Sequence, residues 1–161
     1  MDSCNFTDNI ANTSAGSDIF FEHRFLYKTF LLLKQSRFSN FYQKSVQITC
    51  VKLDAADLGI QIINSTFKKG ARMDMFPTEI ANPVLISAVR IDTCPQLFLD
   101  NVTFDGITGT MGSGLYLNDV NYDRTSSLTV KNSRFLNLRG WCGAALYINN
   151  VEYVSIINTL F

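Results

Sequence analysis

One phrase recurs along this chain, and it limits the available folds more than any other feature. Leu31 to Phe38, Ile60 to Phe67, Leu97 to Phe104, Leu128 to Phe135 and Val154 to Phe161 all read apolar-x-apolar-x-Asn-x-x-Phe. Only Gln35 departs from the Asn position. The closing Phe residues stand at 38, 67, 104, 135 and 161, at intervals of 29, 37, 31 and 26 residues. A repeat of that size marks a stacked architecture built from similar units.

Each unit extends upstream of its phrase. Val89 to Gln96 leads into the third copy and Leu146 to Tyr153 into the fifth, and the two sixteen-residue blocks align without a gap. Leu115 to Val120 and Val46 to Val51 fit the same pattern. The unit reads as strand, turn, strand, Asn corner, Phe-bearing strand, then a loop of variable length. Apolar residues alternate and β-branched residues are common, as in a half-buried strand. No interval holds a patterned crossover helix, so a doubly wound sheet is excluded. The units are therefore expected to form coils that stack through parallel strand pairing. The fold class is an all-β parallel helix of about five coils over residues 25–161, with residues 1–24 irregular or part of a preceding coil. In it, Phe38, Phe67, Phe104, Phe135 and Phe161 form a stack. Asn64, Asn101, Asn132 and Asn158 form a ladder, since Asn tolerates the left-handed backbone angles of a sharp corner.

Gly143-Ala144-Ala145-Leu146 and Ser113-Gly114-Leu115 each lead into a strand followed by an Asn-Phe phrase. With the Asn ladder and stacked aromatics, they resemble right-handed parallel β-helices of the pectin-lyase-like superfamily, with repeats similar to those of polymorphic outer-membrane and related surface β-helix proteins. The resemblance spans residues 25–161 and implies a fold, not an activity.

Hydrolases of that superfamily share an Asn-Thr-Asp segment, an Asp-Asp pair and a Gly-His-Gly segment, and none occurs here. Its lyases hold calcium with an acidic cluster. The nearest equivalents, Asp54 with Asp57 and Asp119 with Asp123, lie two repeats apart in connecting segments and read as loop residues. His23 is the only His and falls outside the recognisable coils, which leaves no base for a Ser or Cys nucleophile and no pair of His ligands for zinc. The Gly-rich stretch from Thr108 to Gly114 has no Lys and reads as a turn before a strand. No catalytic residue, metal or cofactor is expected.

Charge is balanced, with 14 basic and 14 acidic residues, so nothing favours nucleic acid. Lys68, Lys69 and Arg72 read as a solvated loop. The richest apolar stretch, Phe20 to Leu33, is broken by Glu22, His23, Arg24 and Lys28, so no membrane span is expected. The first residues show no secretory signal. The chain ends on a repeat Phe without a polar cap, so further coils or a neighbouring chain are expected to cover both ends. Cys4, Cys50, Cys94 and Cys142 lack metal-site spacing and could form a pair of disulfides, but buried free thiols are the favoured reading. Sequons stand at Asn5, Asn12, Asn64 and Asn101. Asn64 and Asn101 are corner positions where packing would leave no room for a glycan, so Asn5 and Asn12 are the candidates for glycosylation.

What remains is a surface. Arg90, Tyr116 and Tyr147, flanked by Asn118 and Asn149, project from one strand column as a possible site for carbohydrate or a partner chain. The competing reading is that they only steady the sheet. The expected function is a non-catalytic structural or interaction module of a larger surface or assembly protein, extracellular or at the cell surface. The alternatives are a carbohydrate-active enzyme with its catalytic coils elsewhere, and an intracellular subunit of a large complex.

Overall fold

The computed structural model describes residues 1, 3–7, 18–23, 29–40, 45–50, 58–70, 87–118 and 126–161. Among the described residues the regular structure is entirely β-strand, fifteen strands in three five-stranded sheets. The first sheet joins β2 (Ile19–His23), β5 (Val46–Cys50), β8 (Val89–Asp92), β11 (Leu115–Asn118) and β14 (Leu146–Asn149). The second joins β3 (Thr29–Lys34), β6 (Leu58–Ile63), β9 (Gln96–Asp100), β12 (Ser127–Lys131) and β15 (Tyr153–Ile157). The third joins β1 (Asn5–Thr7), β4 (Arg37–Ser39), β7 (Thr66–Lys68), β10 (Thr103–Asp105) and β13 (Arg134–Leu136). Every strand pairs in parallel with the strand three places on, so each coil lays one strand on each sheet, as in a parallel β-solenoid.

Register follows the repeat. Phe6, Phe38, Phe67, Phe104 and Phe135 are direct partners across the third sheet. Their rings stack at centroid separations of 4.8, 4.7, 5.0 and 4.8 Å, and Phe161 continues the column at 5.1 Å from Phe135. Neighbouring strands lie about 4.8 Å apart in any sheet. The backbone pitch thus delivers the rings at stacking distance, and each pair adds about 0.5–1.5 kcal/mol beyond its buried area. Leu33, Ile62, Leu99 and Val130 form one inward column of the second sheet, and Ile48, Ile91 and Leu117 face them from the first.

The corner before each Phe strand is left-handed throughout, with φ of 54° at Ser3, 52° at Gln35, 51° at Asn64, 52° at Asn101, 49° at Asn132 and 49° at Asn158. The main-chain ladder runs through it, since Gln35, Asn64, Asn101 and Asn132 each donate a backbone N–H to the carbonyl of the next coil. The carboxamide ladder is less regular. Asn101 Nδ2 donates to Asn64 Oδ1 at 2.9 Å and Asn158 Nδ2 to Asn132 Oδ1 at 3.5 Å. Asn132 Nδ2, however, turns to Asp100 Oδ1 at 2.9 Å. A charged acceptor makes the stronger hydrogen bond, so the carboxylate displaces the expected Asn101 rung.

Behind the corner runs a second column. Ser36, Ser65 and Ser133 are buried, and each donates its hydroxyl to the carbonyl two residues back. Each also accepts from a backbone N–H of the preceding coil, that of Cys4, Ser36 and Val102 respectively.

Three expectations are corrected. Cys50 and Cys94 form a disulfide with their Cα atoms 5.3 Å apart. Val46 pairs with Val89, so β5 and β8 lie in adjacent coils and bring the two thiols together. Cys4 and Cys142 are free, and Cys142 is exposed rather than buried. His23 belongs to β2, opposite Cys50, and so lies inside a coil.

Candidate functional site

The outward face of the first sheet carries the surface anticipated from sequence. The pleat turns alternate side chains outward, and the register sets Gln47, Arg90, Tyr116 and Tyr147 in one row and Thr49, Asp92, Asn118 and Asn149 in the next. Tyr116 and Tyr147 stack at 5.1 Å with planes 3° apart. The Arg90 guanidinium lies over the Tyr116 ring, 5.2 Å from its centroid. Asp92 fixes that guanidinium through two bonds, Nε to Oδ2 at 2.7 Å and Nη2 to Oδ1 at 3.3 Å. Beside them, Asn149 Nδ2 donates to Asn118 Oδ1 at 2.9 Å.

All five residues singled out for binding are therefore brought together, but their geometry is that of a ladder. Tyr116 is only 7% exposed, with Arg90 over its ring on the β8 side and Tyr147 stacked on the β14 side. A sugar or peptide that stacks on aromatics needs a free ring face, and Tyr116 has none to give. Tyr147 is half-buried, and β14 is an edge strand of its sheet, so among the described residues no strand lies against the face of Tyr147 away from Tyr116. Burial raises the Tyr116 phenol above the ordinary value of 10.0, and Asp92 adds to this, against the opposing pull of Arg90. The phenol is thus neutral in ordinary buffers.

A second surface is the uncapped face of the last coil, expected from the phrase that ends on Phe161. In the last coil the inward columns come to the surface. Val154 is 46% and Ile156 44% exposed, whereas their partners one coil back, Leu128 and Val130, are 1% and 0% exposed. Tyr153, Ile157, Leu160 and Phe161 are exposed with them, and Trp141 stands exposed in the turn before β14.

The corner sequons are not closed off, as expected from packing, because Asn64 and Asn101 are both exposed. Asn5 is exposed in β1. Lys68 lies 4.0 Å from Asp105, and Lys69 occupies a second left-handed corner with φ of 51°. Asn12, Asp54, Asp57, Arg72, Asp119 and Asp123 lie outside the described residues. Among the described residues, no group of three or more His, Cys, Asp or Glu side chains is placed to hold a metal. Nor is any helix among them long and apolar enough to cross a membrane.

No known family matches the chain. Neither a curated protein nor a solved structure matches it.

Proposed function

We propose that the chain is a non-catalytic structural and interaction module of the right-handed, pectin-lyase-like kind of parallel β-helix, working in an extracellular or cell-surface assembly. The observation that carries this reading is the apolar face of the last coil. Val154 and Ile156 continue columns that are buried in every described coil before them except at Leu31, which is half-buried. The open edges of β14 and β15 offer main-chain groups in the same register. A further layer of parallel strands, from more coils of the same protein or from a neighbouring chain, satisfies both demands, burying the side chains and pairing the edges. The Cys50–Cys94 disulfide supports an oxidising compartment. Asn5, which is exposed, and the sequon at Asn12 are then the candidate glycosylation sites. The Tyr147 face and the Asn118–Asn149 pair form the part of the first sheet best suited to contact carbohydrate or a partner.

The test is the mass of the pure chain in solution as a function of concentration, measured by light scattering. Association is expected, and the Val154→Lys, Ile156→Lys double variant should abolish it while keeping the β-sheet circular dichroism of the parent. A parent chain that stays monomeric at all concentrations overturns the interaction surface. Release of soluble sugar from polygalacturonate by the same preparation overturns the non-catalytic reading.

A further inference from the structure

We infer that Asn64 carries an N-linked glycan, an inference that rests on the extracellular reading above. Asn64-Ser65-Thr66 is a sequon, and a sequon is used where its Asn reaches solvent. Asn64 sits at a left-handed corner with φ of 51° and is exposed, while the following Ser65 is buried and anchors the chain. The two ends of its carboxamide are in different situations. Oδ1 accepts from Asn101 Nδ2 at 2.9 Å. Nδ2 makes no hydrogen bond among the described residues, and one coil back Gln35 Oε1 accepts instead from the Ser3 hydroxyl at 3.3 Å.

The chemistry fits that division. The sugar donor is a polyprenyl-diphosphate-linked oligosaccharide. Its C1–O bond to the diphosphate breaks, a C1–Nδ2 bond forms, Nδ2 gives one proton to the transferase, and the polyprenyl diphosphate leaves. The product amide keeps Oδ1 and its lone pairs, so the Asn101 rung survives on a glycosylated Asn64. Asn101-Val102-Thr103 is also a sequon, but there Nδ2 itself makes the rung. A sugar on it would sit between two carboxamides spaced by one strand pitch, about 4.8 Å. The two corners therefore differ, with Asn64 free to carry a glycan and Asn101 engaged.

Glycopeptide mapping of the protein isolated from the cells that make it tests this. The expected result is sugar on Asn64 and none on Asn101. Thr66→Ala, expressed through a secretory host, should lose the mass of one glycan while Asn64 and its rung stay in place, and Thr66→Ser should keep it. Sugar on Asn5 with Asn64 bare overturns this inference and leaves the extracellular reading standing. Sugar on Asn101 overturns the distinction between the corners. Absence of sugar at all four sequons overturns both this inference and the extracellular reading.

Discussion

Asn101 donates to Asn64, whereas Asn132, at the same corner one coil further on, donates to Asp100. The Asn column is therefore conserved in backbone shape and variable in side-chain partner. Its first duty is to hold a left-handed angle, and the rung is an addition.

That order of importance is measurable. Asn101→Ala loses one rung, worth about 0.5–1.5 kcal/mol. It also places a Cβ-bearing residue at φ of 52°, which costs roughly another 1–2 kcal/mol. Asn101→Gly loses the rung but meets no steric cost, so it should be the milder of the two. Urea midpoints of the two variants check this, and an equal loss for both would show that the rung dominates.

The Phe column should be unequal along its length. Phe104 is fully buried between Phe67 and Phe135, and Phe104→Ala is expected to cost about 3–5 kcal/mol. Phe161 is 59% exposed with one ring neighbour, so Phe161→Ala should cost under about 1.5 kcal/mol. Denaturation of each variant against the parent gives the comparison.

Cysteine chemistry gives a third measurement. Of the four Cys residues, Cys4 and Cys142 are free, so two thiols should react in the unreduced, unfolded chain and four after reduction. Cys94→Ala should lower stability by roughly 2–4 kcal/mol. A count of four thiols before reduction would exclude the bridge.

Tyr116 predicts a pH dependence. Its folded value is raised above 10.0, chiefly by burial and then by Asp92, so the native state holds the proton more tightly than the unfolded chain does. Its contribution to stability is therefore complete below pH 10.0 and is lost as pH rises through the higher folded value. Tyr116→Phe should flatten that alkaline decline. Thermal melts of the parent and the variant across the alkaline range check this.

The architecture was legible because the Phe and Asn positions are set by backbone geometry, and geometry repeats even where loop lengths drift. The serine column was not read from the sequence, since Ser36, Ser65 and Ser133 follow a corner but Val102 and Thr159 hold the same place in two other coils. Nor was its role, because only coordinates show an hydroxyl receiving a main-chain hydrogen bond from the preceding coil. Cys50 and Cys94 were missed because the interval from Phe67 to Phe104 is the longest of the set and hides their adjacency. The Asp100 diversion was missed because the phrase leaves that position unspecified. The register of the outward row follows from the alternation, but the sandwiching of Tyr116 depends on where the Arg90 side chain lies, which spacing does not determine.

The even spacing of the phenylalanine rings makes this molecule a ruler graduated in whole turns, each about 4.8 Å long. Residues added in a loop widen the body locally and leave the distance between its two ends unchanged. Only the gain or loss of a complete phrase alters that distance, so loop lengths can drift freely while the span from the first coil to the last stays constant.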